Sequence, residues 1–419
     1  MISRRSFLLS PPAAAIAAQS KLTNLDDAFL DDLSRRAVQF FWEQADPVTG
    51  LVRDRGRSDG SARTGIASIA ATGFGLTALC IGADRKWIRR DDARLRAFAT
   101  LQHFATRAVH KNGWFYHFVD PATGDRRWNC EVSSIDTALL LGGILTAGRY
   151  FGDDAGIARL ARQIYERVDF QWMLNGHPTL LAHGWTPEKD FIQNRWDTYC
   201  ELAILYVLGI NSPTHPIPPD SWYAWTRPWV AYRNYRYAGG APLFTHQYSH
   251  AWIDFRNQRE DHGARIDYFK NSIVATHAHR AFCIDLHAKF ADYSEDQWGI
   301  TASDSAKGYV AWGGPPMDHR IDGTLVPCAA GGSLMFAPRI ALSALRAMHE
   351  RFGDKIYGRY GFVDAFNPLT GWIDSDVLGI DQGITLLSAE NLRSQSIWRW
   401  LESSPLHTGR LPAYHRYSG

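Results

Sequence analysis

The sequence predicts an all-α fold, an (α/α)6 toroid of about six helical hairpins with long aromatic-rich loops, and three observations carry that expectation. Apolar residues recur at three- and four-residue spacing in one segment after another. Strand-like alternation is scarce. A five-residue turn sequence returns three times, as Asp46-Pro47-Val48-Thr49-Gly50, Asp120-Pro121-Ala122-Thr123-Gly124 and Asn367-Pro368-Leu369-Thr370-Gly371. A Pro–Gly turn ends one element and redirects the chain, so the echo marks a repeated hairpin of outer and inner helices.

Taken in order, Phe29, Leu33, Ala37, Phe40 and Phe41 define the first helical stripe. Similar patterns predict helices near 66–82, 91–109, 134–151, 154–174, 196–209, 265–290, 338–352 and 383–402. Between them run Gly/Trp/Tyr-rich connections at 110–132, 235–262 and 292–335, longer than helix turns need and suited to carry function. The 419 residues contain no composition break or linker, which predicts one domain over 19–419.

Residues 1–18 read as a twin-arginine-type signal peptide: Arg4-Arg5, a short apolar stretch and Ala15-Ile16-Ala17 as an A-x-A cleavage site. A periplasmic or secreted protein is therefore expected. Lys plus Arg (45) nearly balances Asp plus Glu (43), and loss of Arg4 and Arg5 leaves 43 of each. Such a chain lacks the basic footprint of a nucleic-acid or anionic-membrane binder, and no run is long and apolar enough to span a bilayer. A monomer is expected. The five cysteines are widely spaced without a C-x-x-C pair, which points to buried thiols rather than a disulfide framework or zinc site.

Two acidic constellations stand out. In Glu131-Val132-Ser133-Ser134-Ile135-Asp136 the serines suit a helix N-cap, placing Asp136 in the first turn as a base or hydrogen-bond acceptor and Glu131 in the preceding loop as a candidate proton donor. In Arg195-Trp196-Asp197-Thr198-Tyr199-Cys200-Glu201 the spacing predicts Asp197 and Glu201 on one helix face, with Glu201 against an apolar run that would raise its pKa. Trp196, Asp197, His250, Trp252, Arg256, Asp304, Trp312, Asp381 and Gln382 combine aromatic platforms with polar rims, as a sugar with apolar faces and a hydroxyl edge requires. They are the expected lining of a groove. His246 and His250 lack an H-E-x-x-H context, so no metal and no cofactor is expected. Phosphate-loop and G-x-S-x-G elements are missing as well.

At Ser133–Leu141, Ser212–Ile217, His246–Arg256, Ala302–Tyr309, Arg359–Pro368 and Leu378–Ile384 the sequence resembles the glycoamylase-like family, and is similar to glycoside hydrolase family 144 proteins of the endo-β-1,2-glucanase type. The resemblance spans nearly the whole mature chain and implies the same (α/α)6 toroid. It also implies hydrolysis of a glucan, most readily β-1,2-linked, by an inverting two-carboxylate mechanism. Glu201 matches an acidic residue implicated in catalysis, and Asp136 matches the Glu that begins the relatives' inner helix. Ser133 departs from the pattern, where an additional Asp is expected, and Glu131 is the nearby acid that would take the missing role. A transglycosylase or exo-glucosidase on the same scaffold, or a glycan-binding protein without chemistry, are the alternatives.

Overall fold

A computed structural model describes residues 22–61, 65–408 and 414–416; the signal-peptide reading falls outside them. The longer helices are α1 (Asn24–Glu43), α2 (Ile69–Asp84), α3 (Arg90–Thr106), α4 (Ser134–Tyr150), α5 (Ala155–Arg167), α6 (Ala203–Ile210), α7 (Tyr268–Asp285), α8 (Pro338–Phe352) and α9 (Gly379–Arg393). Strands are two to four residues long and pair in twos and threes, some as local hairpins and others between segments distant in the chain. The chain is an α/α toroid.

Inner and outer helices separate by composition. Every residue of α2 from Ile69 to Ala83 is buried, and α4, α6 and α9 are buried almost all round, as helices enclosed by others must be. By contrast, α1, α5 and α8 bury one stripe and solvate the other. α2 and α4 touch through glycine: a Cβ on Gly143 would sit 1.9 Å from the Gly73 carbonyl oxygen. α2 also packs on α9 and α1, and α1 on α9. Strand Arg55–Arg57 pairs antiparallel with Asp376–Leu378, joining the first hairpin to the last.

The three echoed turns have one geometry. In each, the first side chain accepts main-chain N–H bonds from the residues two and three further on, at 2.9–3.3 Å for Asp46, Asp120 and Asn367. The main-chain N–H of each closing glycine donates to the first residue's carbonyl, and Gly50, Gly124 and Gly371 lie at φ +70, +80 and +74°, where a side chain would be strained. All three stand between an outer and an inner helix (α1–α2, α3–α4, α8–α9).

Some helical expectations need correction. The 196–209 segment is extended or turned through Leu202 and helical only from Ala203, so Asp197 and Glu201 share no helix face. The 154–174 stretch is α5 plus a single turn at Phe170–Met173. The 383–402 stretch breaks at Gln395, which lies at φ +59° and starts a separate helix at Ser396–Leu401. Cys80, Cys130, Cys283 and Cys328 are buried, Cys200 is half-buried, and all five are free thiols.

The Gly73–Gly143 contact is testable. Gly143→Ala is expected to destabilise the fold by about 1–3 kcal/mol in chemical denaturation, the usual cost of overpacking. Gly240→Ala, where a Cβ meets nothing within 4 Å, should stay within about 0.5 kcal/mol of the parent.

Candidate active site

Inner helices deliver their N-termini to one place. Ser68 and Ser133 cap α2 and α4 by accepting the N–H of Ala71 and Asp136, a preferred use of serine. The residues around these caps, Ser68, Ala70, Ile135, Asp136 and Leu139, line a cavity of about 750 Å³. Leu378, Ile380 and Asp381 join from the start of α9, and Glu201 from the turn before α6. Asp54, Arg55, His117 and the aromatics Phe118, Trp128, Phe244, Tyr248 and Tyr309 complete much of the wall. Aligned helix N-termini favour negative charge, so an acidic cavity at this end is electrostatically supported.

Glu201 lies deep in this cavity. Withdrawal from water pushes its carboxyl up to about 7, and the nearby charge of Asp136 adds to the effect. Asp136 accepts the Ser133 hydroxyl at 2.5 Å and stands 3.4 Å from Nε2 of His117. His117 Nδ1 lies 3.1 Å from Glu131 Oε1, and its ring stacks on Phe118 at 3.8 Å between centroids. Burial by itself would lower the His117 pKa, but Asp136 and then Glu131 overcome it and lift it to about 9. The imidazolium therefore bridges two carboxylates.

That bridge corrects the reading of Glu131 as a proton donor. Its hydrogen bond with His117 holds the Glu131 carboxyl below the usual range despite partial burial, and it is not among the residues that line the cavity.

A second acidic group adjoins the cavity and shares Asp54 and Asp381 with its wall. Arg55 reaches Asp304 at 2.5 Å and Asp54 at 3.2 Å. The Asp304 N–H donates to Asp364 Oδ2 at 2.7 Å and the Asp376 N–H to Asp374 Oδ1 at 3.0 Å. Burial raises the carboxyls of Asp54, Asp364, Asp374 (to about 7) and Asp381 (to about 6), and neighbouring acids add to it. Among the described residues two trios bring ligand atoms within 4.8 Å of one another, His117/Glu131/Asp136 and Asp304/Asp364/Asp374. In the first the two imidazole nitrogens already face different carboxylates, and in the second Arg55 supplies a cation to Asp304.

Of the residues expected in the site, Asp136, Glu201 and Asp381 line the cavity and the others do not. Trp196 is buried, donating to Ser134 Oγ at 2.7 Å and stacking on His183. Asp197 is exposed on the extended segment before α6. His250 is buried beside Ser272 and between Phe255 and Phe336, and its pKa falls to about 3. His246 is likewise enclosed, bonded to Tyr199 and Gly240. Trp252 is core, with its Nε1–H on Thr77 and its ring against Gly142. Arg256 forks onto Asp254 and stacks on Trp398 in a different cleft. Asp304 lies behind Arg55. Trp312 belongs to a second hydrophobic core and donates to Ser303. Gln382 turns away from the cavity to bond the Phe362 carbonyl. Asp54, Arg55, His117, Trp128 and Tyr248 are the site residues that pattern reading passed over.

An α/α toroid with carboxyls gathered in a cavity at its inner-helix N-termini has the architecture of a class of glycoside hydrolases, and comparison narrows the class. The chain belongs to the family described as putative glucoamylase, whose model matches residues 193–405. It is 28% identical to the exo β-1,2-glucooligosaccharide sophorohydrolase (non-reducing end) of Parabacteroides distasonis, over 91% of this chain and 57% of that protein. The chain thus spans a little over half the length of that relative. The endo-β-1,2-glucanase of Chitinophaga pinensis, solved with sophorotriose and glucose, superposes with TM-score 0.84 at 27% identity, covering 93% of this chain and 98% of that one. A Bacteroides uniformis protein described, like the family, as a glucoamylase superposes with TM-score 0.85 at 27% identity, over 95% and 99% of the two chains.

The His117 bridge has a measurable consequence. A histidine raised in the folded state stabilises the fold fully below its unfolded pKa of about 6.5 and loses that contribution as pH climbs through the folded value. The parent is expected to lose stability between pH 6.5 and about 9, by at most about 3 kcal/mol, in chemical denaturation at a series of pH values. His117→Gln should flatten that part of the profile.

Proposed function

We propose that this chain is a glycoside hydrolase that cleaves β-1,2-linked glucan or its sophoro-oligosaccharides, with Glu201 as the proton donor. The observation that carries the reading is a carboxyl pushed up to about 7 at the heart of a cavity of about 750 Å³, with other carboxyls on the same wall. A general acid works best when its pKa lies near the working pH. Desolvation gives Glu201 that property, and the charge of Asp136 adds to it. The water-activating carboxylate is drawn from Asp136 and Asp381, which share the cavity wall with Glu201. Glycosidases of this kind place acid and base on opposite sides of the scissile bond, and a water between them gives inversion. The β-1,2 linkage is supported by the names of the Parabacteroides and Chitinophaga relatives. Export through the twin-arginine-type segment at 1–18 would bring the enzyme to glucan outside the cytoplasm.

The purified chain incubated with linear β-1,2-glucan is expected to release short sophoro-oligosaccharides, resolved by size, while starch, β-1,3-glucan and cello-oligomers stay intact. Glu201→Gln should slow the reaction roughly 10²–10⁴-fold. Because the acid must be protonated, kcat should fall as pH rises past about 7. Intact β-1,2-glucan after incubation with the parent, or full activity in Glu201→Gln, would sink the reading.

A further inference from the structure

We infer that Trp128 is a sugar-stacking platform that carries the binding site past the cavity mouth, holding a glucosyl unit that flanks the cleavage point. The inference rests on the glycosidase reading above and extends it to chain length.

Trp128 is 69% exposed while lining the cavity. So much indole in water contributes little to the core, and an exposed aromatic beside a pocket is a recognition surface. One edge is anchored, since Trp128 meets Phe118 edge-on at 5.0 Å between centroids. Phe118 in turn stacks on His117, whose Nε2 faces Asp136. A continuous aromatic path thus runs from the rim to a cavity carboxylate. Among the described residues no guanidinium or ammonium lies over the Trp128 ring, whereas the other highly exposed tryptophan, Trp229, is covered by Arg236 at 4.7 Å.

The backbone is built to hold the ring there. Trp128 and Asn129 lie at φ +54 and +50°, a left-handed conformation that is unfavourable for a bulky residue and persists where the surroundings enforce it. Arg126 does the enforcing: its guanidinium donates to the carbonyls of Asn129 and Cys130 at 2.6 and 2.5 Å and forks onto Glu188 at 2.6 and 2.9 Å. A platform fixed before the ligand arrives loses little freedom on binding. The apolar C–H face of a pyranose is the ligand chemistry that an open indole face accommodates.

The test compares the parent, Trp128→Ala and Trp128→Phe on sophoro-oligosaccharides of increasing length, with tryptophan fluorescence followed during titration. Trp128→Ala is expected to raise KM about tenfold on long substrates, to change kcat little, and to affect the shortest cleavable substrate least. Trp128→Phe should recover most of the loss, and the ligand-induced fluorescence change should be absent from Trp128→Ala. Unchanged KM at every length in an active Trp128→Ala enzyme would overturn the platform and leave the glycosidase reading standing. A parent that neither cleaves nor binds these oligosaccharides would overturn both.

Discussion

The rest of the site depends on the backbone contact between α2 and α4. With Gly73 and Gly143 at the crossing, the two inner helices approach more closely than any side chain allows. That closeness sets the first turns of these helices, with Ser68 and Ala70 from one and Ile135 and Asp136 from the other, on the wall of one cavity. Helix N-termini bring unpaired N–H groups and partial positive charge. The fold therefore prepares a place for acids before any acid is considered, and the toroid fills it with Asp136, Glu201 and Asp381.

Two glutamates in this region show how surroundings divide one side-chain type into two roles. Glu131 faces an imidazolium and its carboxyl is held low. Glu201 has no such cation, loses water, and its carboxyl is driven up. The second condition is unfavourable for folding, since a raised carboxyl subtracts stability as pH climbs from its unfolded value towards the folded one. Enzymes accept that loss where the strained protonation state does the chemistry. His117 works in the opposite direction, offsetting part of it by binding Asp136 and Glu131 together.

The architecture was legible because its signals are local. Helical periodicity located the inner helices, and the Asx-Pro-x-Thr-Gly echo marked three outer-to-inner connections with the same geometry. Asp136 and Glu201 could be singled out because each adjoins an apolar helical run. Aromatic placement was another matter. Trp196, Trp252 and Trp312 sit in sequence neighbourhoods that suit a groove, yet tertiary packing encloses all three. Trp128 carried a signal that pattern reading overlooked: it stands alone among Arg126, Arg127 and Asn129, with no apolar neighbour to bury it with. Arg55 and Asp304 meet across 249 residues, and no spacing rule reaches that far.

The antiparallel pairing of Arg55–Arg57 with Asp376–Leu378 closes the ring between segments more than three hundred residues apart, and this shapes how the molecule comes into being. Synthesis proceeds from the N-terminus, so the early hairpins must wait with α1 and α2 uncovered until α9 emerges to dock on them. Contacts of such long range form late because their loop entropy must be met first. The cavity acquires Asp381 only at that closing step, so an incomplete chain carries an open ring with an incomplete set of acids. Assembly of the acidic cavity and completion of the fold are one event.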